Sequence, residues 1–411
     1  MQKMIDKMPE LPVPQRRAIE IVREVAIAKG VHPYLVGGPV RDMLLDRGAF
    51  DIDLTIEQDS STLARALAKR LNGRVKSFPQ FLTYKVIADD LPEIDIATAR
   101  KERYRKPGAL PTVSEGKLRD DLLRRDFTVN AIAFDLLEAR LVDPSGGERD
   151  VRDRVIRILH DESFADDPTR IFRAIRLAVR LQFTIEPGTA QRMRDAIERG
   201  ALGTVARERI WRELFLAMDE ADAPKVLYEM TCSGALGILF GQRKADLAAL
   251  ERVQKQVKAN RELDAYVLYT SALLRGDASP VELEGSGFSQ KRARNVIQIA
   301  NELPRFLDAL KDAKSERQRL RLLRHASPEL LSGIAAWQPD HSSEVARFQE
   351  FQNFKLPLRG NDLEVPGGPH VARALERTRE AVFTGEIGPA EAQSYARELA
   401  KKYLAELKIE N

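Results

Sequence analysis

The stretch Tyr34-Leu35-Val36-Gly37-Gly38-Pro39-Val40-Arg41-Asp42, followed by Phe50-Asp51-Ile52-Asp53-Leu54-Thr55-Ile56, decides how this chain is read. Phe50, Ile52, Leu54 and Ile56 alternate with Asp51, Asp53 and Thr55, the period of a half-buried strand. Residues two apart on a strand share a side, so both carboxylates project from one face while the apolar residues fix the other. Carboxylates held that close repel each other unless positive charge lies between them. Magnesium meets that need, because it prefers oxygen ligands and bridges phosphates. The Gly37-Gly38 turn lets backbone amides approach a triphosphate, and a helix starting near Val40 presents Arg41 beside it. Taken singly, an acidic pair is usually an exposed polar face, and Gly37-Gly38 lacks the G-x-G-x-x-G spacing. The order strand, glycine turn, helix and acidic strand points to metal-dependent nucleotidyl transfer.

At 411 residues the chain is long enough for about two to four domains. Hydrophobic residues at 43% and charged residues at 31% describe a soluble globular protein with an ordinary core. Aromatics are only 6%, and the second half is rich in Ala, Leu, Glu, Arg and Lys, which favours helices over sheets. A net charge of +4 and a pI near 9.0 tolerate a polyanionic partner. Basic residues crowd between Arg100 and Arg125, where a solvated charged face is the plain alternative. Cys232 is the only cysteine, which excludes an intrachain disulfide and a Cys-based zinc site. No apolar opening stretch of signal-peptide length and no run of roughly eighteen apolar residues are present. The expectation is a cytoplasmic protein with no membrane segment.

Pro14 to Lys29 reads as an amphipathic helix stopped by Gly30. A strand at Pro33 to Val36 follows, and a helix spans Ser61 to Leu71. Val75 to Phe78, Thr83 to Ala88 and Glu93 to Ala97 read as strands, the last carrying Asp95 as a third, accessory carboxylate. Lys106 to Thr112 reads as a loop. Mixed strands and helices end near Asp143, and beyond it almost everything reads as helix. Further breaks fall at Leu356 to Asn361 and at Val365 to Pro369.

Four more strings carry chemistry. Arg124-Arg125-Asp126-Phe127-Thr128-Val129-Asn130-Ala131 offers forked donors for phosphates in its arginines, an acceptor for a ribose hydroxyl in Asp126, and an anchor in Asn130. A plain helix start capped by Asp126 is the competing reading. Asp166-Asp167-Pro168-Thr169-Arg170 places an acid and a guanidinium three apart, on one face of a helix. An N-cap followed by Pro is its structural alternative. Arg170, Arg173, Arg176 and Arg180 then form a ridge opposite Ile171, Ile175, Ala178 and Leu181, which is either a solvated surface or a track for an RNA backbone. Glu208 to Glu213 reads as a helix brace.

With G-G-x-V-R-D and D-x-D, these strings resemble the class II tRNA nucleotidyltransferases and bacterial poly(A) polymerases, members of the DNA polymerase β nucleotidyltransferase superfamily. The match is specific over residues 34 to 215 and loose over 356 to 390, and it departs from the family's E-D-x-x-R in having Asp166 first. The resemblance implies an α+β fold: a polymerase-β-like head with a mixed sheet (1–143), then an all-helical neck (144–220), body (221–355) and tail (356–411). It implies Mg2+ on Asp51 and Asp53, phosphates held by Gly37, Gly38, Arg41 and Arg125 with help from Asn130, and the ribose on Asp126. Asp167 and Arg170 would read the base. Cytosine and adenine both pair an exocyclic amino group with a bare ring nitrogen, so an acceptor beside a donor admits CTP and ATP and refuses UTP and GTP. Arg173, Arg176 and Arg180 would contact RNA, and the tail would support tRNA. The implied activity is template-independent addition of C and/or A to the tRNA 3′ end. Addition of only A or only CC, and then poly(A) synthesis, are the nearest alternatives. A catalytically silent RNA-binding protein and a small-molecule nucleotidyltransferase are alternatives of other classes.

Overall fold

The computed structural model describes residues 11–47, 51–109, 111–276, 278–337 and 339–409. Phe50, expected on the acidic strand, and Leu110, expected in a loop, lie outside the described residues. The chain divides into two compact units, Met1–Gln242 with Glu284–Gly287, and Arg243–Leu283 with Phe288–Asn411. The head, neck, body and tail expected from the sequence divide it more finely.

In the first unit, helix α1 (Val13–Lys29) buries Ala18, Ile19, Val22, Val25 and Ala26, and ends on Gly30 in the left-handed region (φ 64°). Strand β1 (Pro33–Val36), helix α2 (Gly38–Leu44), β2 (Ile52–Ile56), α3 (Ser60–Leu71), β3 (Arg74–Phe78), β4 (Thr83–Ile87) and β5 (Ile94–Thr98) follow. A separate hairpin, β6 (Arg100–Arg103) and β7 (Thr112–Glu115), brackets the expected loop. Helix α4 (Leu118–Leu123), a 3-10 turn at Thr128–Asn130, β8 (Ala133–Asp135) and β9 (Arg140–Val142) complete the sheet region. The sheet has seven strands in the order β3-β4-β5-β2-β1-β8-β9. Strands β2 and β5 run parallel and the other neighbours antiparallel.

Period-two alternation sorts the sheet into two faces. Ile52, Leu54, Ile56, Val86, Ile94 and Ile96 are buried on the side where α3 packs on β3, β4 and β5. The other face carries Asp53. On its β1-β8-β9 half, Val36, Ala133, Tyr34 and Val142 pack under Leu118 and Leu122 of α4. On its β5-β4-β3 half, the register aligns Asp53 with Asp95, Asp95 with Lys85, and Lys85 with Lys76.

Helices α5 (Gly147–Asp153), α6 (Ser163–Asp166), α7 (Arg170–Leu181), α8 (Pro187–Glu198), α9 (Arg207–Met218), α10 (Ala223–Cys232) and α11 (Gly237–Phe240) follow. A short parallel ladder, β10 (Val155–Ile156) with β11 (Thr184–Ile185), interrupts them where the sequence reads as helix. Strands of two residues are too short for an alternation to register. In α7, Ile171, Phe172, Ala174, Ile175, Leu177 and Leu181 are buried, so the apolar stripe turns inward and the arginines fall on the remaining side.

The second unit is helical: α12 (Leu247–Ala259), α13 (Ala265–Leu273), α14 (Gln290–Asp312), α15 (Glu316–Leu323), α16 (Pro328–Trp337), α17 (Ser342–Asn353), α18 (Pro369–Phe383) and α19 (Ala392–Ile409). The last two enclose a small core of Leu363, Val371, Ala374, Ala396 and Ala400. No helix among the described residues is long and apolar enough to cross a membrane.

Candidate active site

Asp51 is exposed just ahead of β2, and Asp53 is half-buried on it. The parallel register with β5 sets Asp95 directly beside Asp53. Burial, then the Asp95 and Asp51 charges, outweigh Arg125 and Lys85 and lift the Asp53 carboxyl from its ordinary 3.8 to about 6. An acid raised by neighbouring acids is a place that a cation would relieve, so these residues fit a bound metal ion. Lys85 supplies part of that charge, reaching Asp95 at 3.1 Å and Glu93 at 2.5 Å. Another acidic group, His32, Asp135 and Glu138, has ligand atoms within 4.8 Å of one another. It sits at the opposite end of β1, since Pro33 pairs with Ile56. Its Asp135 Oδ1 contacts His32 Nε2 at 2.7 Å and accepts the backbone N–H groups of Leu137 and Glu138. That group fixes the β8–β9 turn.

Gly37 adopts φ 73°, ψ −125° and donates its amide to Ile132 O at 2.9 Å. The sequence reading gave that amide to a phosphate; the structure spends it on joining β1 to the Asn130 turn. The glycine matters for another reason: a Cβ there would lie 2.6 Å from Arg125 Nη1. Arg125 is held by Asp121 Oδ2 at 2.9 Å, and Arg124 by Asp121 Oδ1 at 2.7 Å. Burial alone would raise the Asp121 carboxyl, but Arg125 and Arg124 keep it below its usual range. Arg125 Nε is buried with no hydrogen-bond partner among the described residues. Arg41, also buried, donates to Asn130 Oδ1 at 2.5 Å and to Asp42 at 2.9 Å.

Asn130 passes the chain on, donating to Asp126 Oδ1 at 2.9 Å. Asp126 is buried, and its Oδ2 accepts Arg173 Nε and Nη2 at 2.9 and 2.6 Å. Burial would raise this carboxyl, but Arg173 and Asn130 hold it below its ordinary value. The acid expected to meet a ribose therefore couples the Arg124-Arg125 segment to helix α7.

Asp167 precedes α7 instead of lying in it. Its Oδ1 accepts the Thr169 N–H and hydroxyl and Arg209 Nη2 at 2.9 Å. Arg170 opens the helix and donates to Ser163 Oγ at 2.6 Å and to Arg124 O at 2.9 Å. The two residues share a cavity wall without touching through their side chains as the helix spacing suggested. Arg176 pairs with Glu213 at 2.8 Å and Glu220 at 3.2 Å, and Arg180 approaches Glu220. The ridge faces the same cavity. Arg209 and Glu213 brace the helices, as the sequence reading expected.

These elements enclose a cavity of about 450 Å³, lined by Gly38, Arg41, Asp53, Asn130, Asp167 and neighbours. Seven guanidinium groups and five carboxylates face it, so the wall is net positive. Glu102, Tyr104 and Glu220 line it without having been singled out from the sequence. Tyr104 donates to Glu102 at 3.1 Å. Burial, with Glu102 and Asp167 against the opposing pull of Arg170, pushes its hydroxyl up to about 12. The only signal for Tyr104 and Glu102 was their place in the basic stretch after Asp95.

Residues 33–157 match the Poly A polymerase head domain. The chain is 32% identical to an A-adding tRNA nucleotidyltransferase of Geobacter sulfurreducens over 86% of its length, covering 43% of that protein. It is 30% identical to a CC-adding tRNA nucleotidyltransferase of the same organism over 93% of its own length and 95% of the other. The chain belongs to the class II tRNA nucleotidyltransferase family. Its fold matches a solved CCA-adding enzyme in apo form with a TM-score of 0.80, at 24% identity over 94% of this chain and 95% of that one. The chain spans about half or less of the A-adding relatives it matches. Within this family fold, Asp53 of D-x-D, the paired arginines and the ridge of α7 converge on one cavity from segments far apart in sequence.

Proposed function

We propose that this tRNA nucleotidyltransferase adds C and/or A to the 3′ end of tRNA from CTP and ATP, without a template, releasing pyrophosphate. The observation that carries the reading is the cavity in which Asp53, crowded by acids, faces a wall of arginines. The 3′-hydroxyl of the acceptor attacks the α-phosphorus, the bond to the β-phosphate oxygen breaks, and pyrophosphate leaves with the electron pair. Asp51 and Asp53 would hold Mg2+, with Asp95 an accessory kept in place by Lys85. Bound Mg2+ supplies charge neutralisation at the attacking and departing oxygens. Arg125, aimed by Asp121 and with Nε unspent, holds triphosphate oxygens beside Arg41 and Gly38. Asn130 keeps Arg41 in position, and Asp126 fixes Arg173 and borders the ribose. Asp167 and Arg170, each steadied by its own partner, face the base edge. Arg176 and Arg180 extend the positive wall toward the RNA end, and the cytoplasm is the proposed setting.

The test supplies tRNAs ending before, within and after CC with CTP or ATP singly. Product lengths separate CCA, CC-only and A-only addition, and a long A ladder on any RNA would replace tRNA repair by poly(A) synthesis. Asp51→Ala and Asp53→Ala should abolish incorporation and leave tRNA binding intact; incorporation at the original rate would overturn the metal assignment.

A further inference from the structure

The nucleotide cavity lies to one side of Asp53. Its wall comes from Arg41 of α2, from the Arg124–Asn130 segment after α4, and from α7. On that side α4 also covers the sheet face through Leu118 and Leu122. A transfer reaction brings two substrates to one pair of carboxylates, attacking and departing oxygens standing in line. The second substrate therefore needs another approach, and the same sheet face offers one. From Asp53 the register runs through Asp95 and Lys85 to Lys76 on the edge strand β3. The helix packing on these three strands, α3, lies on the opposite face. The middle of the row is partly open, with the Asp95 side chain 32% and that of Lys85 26% exposed, and at its edge Lys76 and both its strand neighbours are exposed.

The chemistry of the row suits RNA. Lys85 is spent on Asp95 and Glu93, which removes a carboxylate repulsion from the path. Beyond it, Arg74, Lys76 and Phe78 share one side of β3 by alternation, two cations and an aromatic ring that is 41% exposed. Phe81, 47% exposed, stands at the turn into β4. Cations that follow a backbone beside rings that accept stacked bases are the elements of a single-strand platform. The three strand spacings from β2 to β3 span roughly 15 Å, room for a few nucleotides.

We propose that Arg74, Lys76 and Phe78 on edge strand β3 bind the single-stranded 3′ end of the acceptor RNA and lead it across Lys85 to the carboxylates, opposite the nucleotide cavity. The inference rests on the nucleotidyl transfer proposed above. In the full-length protein, Arg74→Glu/Lys76→Glu and, separately, Phe78→Ala are compared by steady-state kinetics with a tRNA lacking its last nucleotide. The expected result is an acceptor KM raised roughly fivefold or more in each variant, near the lower end for one lost stacked base, with the KM for the nucleotide unchanged. The salt slope of tRNA binding should fall by about one to two in the charge variant. A photoreactive base near the acceptor 3′ end should crosslink to the peptide Arg74–Phe81. An unchanged acceptor KM, or crosslinks confined to other segments, would overturn the path. So would loss of a dimer in the same variants, since β3 would then pair two copies of the chain. If no tRNA serves as acceptor even for the unaltered protein, the nucleotidyl-transfer reading itself fails, an outcome distinct from these.

Discussion

Arg173→Ala and Asp126→Ala remove the two halves of one ion pair, yet they should not cost the same. The Asp126 side chain is 9% exposed and that of Arg173 is 45% exposed. Deleting Arg173 strips Oδ2 of both guanidinium donors, while Oδ1 keeps the Phe127 amide and Asn130. Leaving a buried carboxylate so exposed to its own charge costs about 3–5 kcal/mol. Deleting Asp126 leaves a guanidinium that water reaches, and one Asn130 donor without its acceptor, for about 1–2 kcal/mol. In a unit of this size each kcal/mol moves the melting temperature by roughly 2–4 °C. The arginine variant should therefore melt about 10 °C lower and the aspartate variant about 5 °C lower. The double variant should lie near Asp126→Ala, far from the sum. The pH dependence separates them further. With Arg173 present, the Asp126 carboxyl is held low in the fold, so its contribution is full above the unfolded value of about 3.9 and is lost as pH falls. Without Arg173, burial is opposed only by Asn130 and the Arg170 charge, the folded carboxyl rises, and the deficit shrinks as pH falls toward about 4. Thermal and urea melts of the four proteins between these limits give the answer. Equal deficits or an additive double variant would refute the asymmetry. Asp126→Asn raising the nucleotide KM at unchanged stability would return that acid to the ribose alone.

Gly37→Ala puts a side chain at φ 73°, ψ −125° and 2.6 Å from Arg125 Nη1; a cost of about 2–4 kcal/mol and a raised nucleotide KM should appear together, and normal values of both would remove the packing argument. Asp53→Asn abolishes the acid that the fold lifts to about 6. Because the folded value exceeds the unfolded one, the carboxyl costs stability that grows as pH rises from about 4 through about 6, up to about 3 kcal/mol. In chelator the variant should thus outmelt the parent at pH 7.5 and match it near pH 4, and a parent equally stable at pH 7.5 would contradict the crowding of the acids. Arg209→Ala removes the donor to Asp167 and to Gly108 O; discrimination of CTP and ATP from UTP and GTP should drop roughly tenfold with tRNA affinity kept, and unaltered discrimination would detach Asp167 from base reading.

What the sequence made legible was local. The strand with Asp53, and Asp51 just ahead of it, announced itself by period two, and α7 by its three-and-four spacing of arginines, because both patterns arise within a few residues. Asp95 was found as an acid on a strand, but its pairing with Asp53 is a register between strands some forty residues apart, which no local period encodes. The same holds for Arg124 with Glu102 and for Asp126 with Arg173, partners that only the fold brings together. Spacing also misled where it was trusted to build contacts. Asp167 and Arg170 sit three apart, but the first stays outside the helix because its carboxylate is turned back onto Thr169, and the arginine reaches Ser163 instead.

Most charges of the cavity are already answered within the protein. Asp126 has Arg173, Arg176 has Glu213 and Glu220, Arg41 has Asn130 and Asp42. Such pairs hold their members in fixed positions before any substrate arrives. Two groups stand apart from this internal balance. Asp53 is lifted to about 6 by its burial and by the Asp95 and Asp51 charges, which Arg125 and Lys85 do not offset, and Arg125 keeps a buried Nε with no partner among the described residues. One calls for a cation and the other for an anion, and both line the same cavity. A lone metal ion would satisfy only the first, and a lone phosphate only the second. A phosphate that arrives with its metal satisfies both at once, so the electrostatic imbalance fits the metal-bound triphosphate proposed as donor, and the proposal leaves the choice among its bases to Asp167 and Arg170.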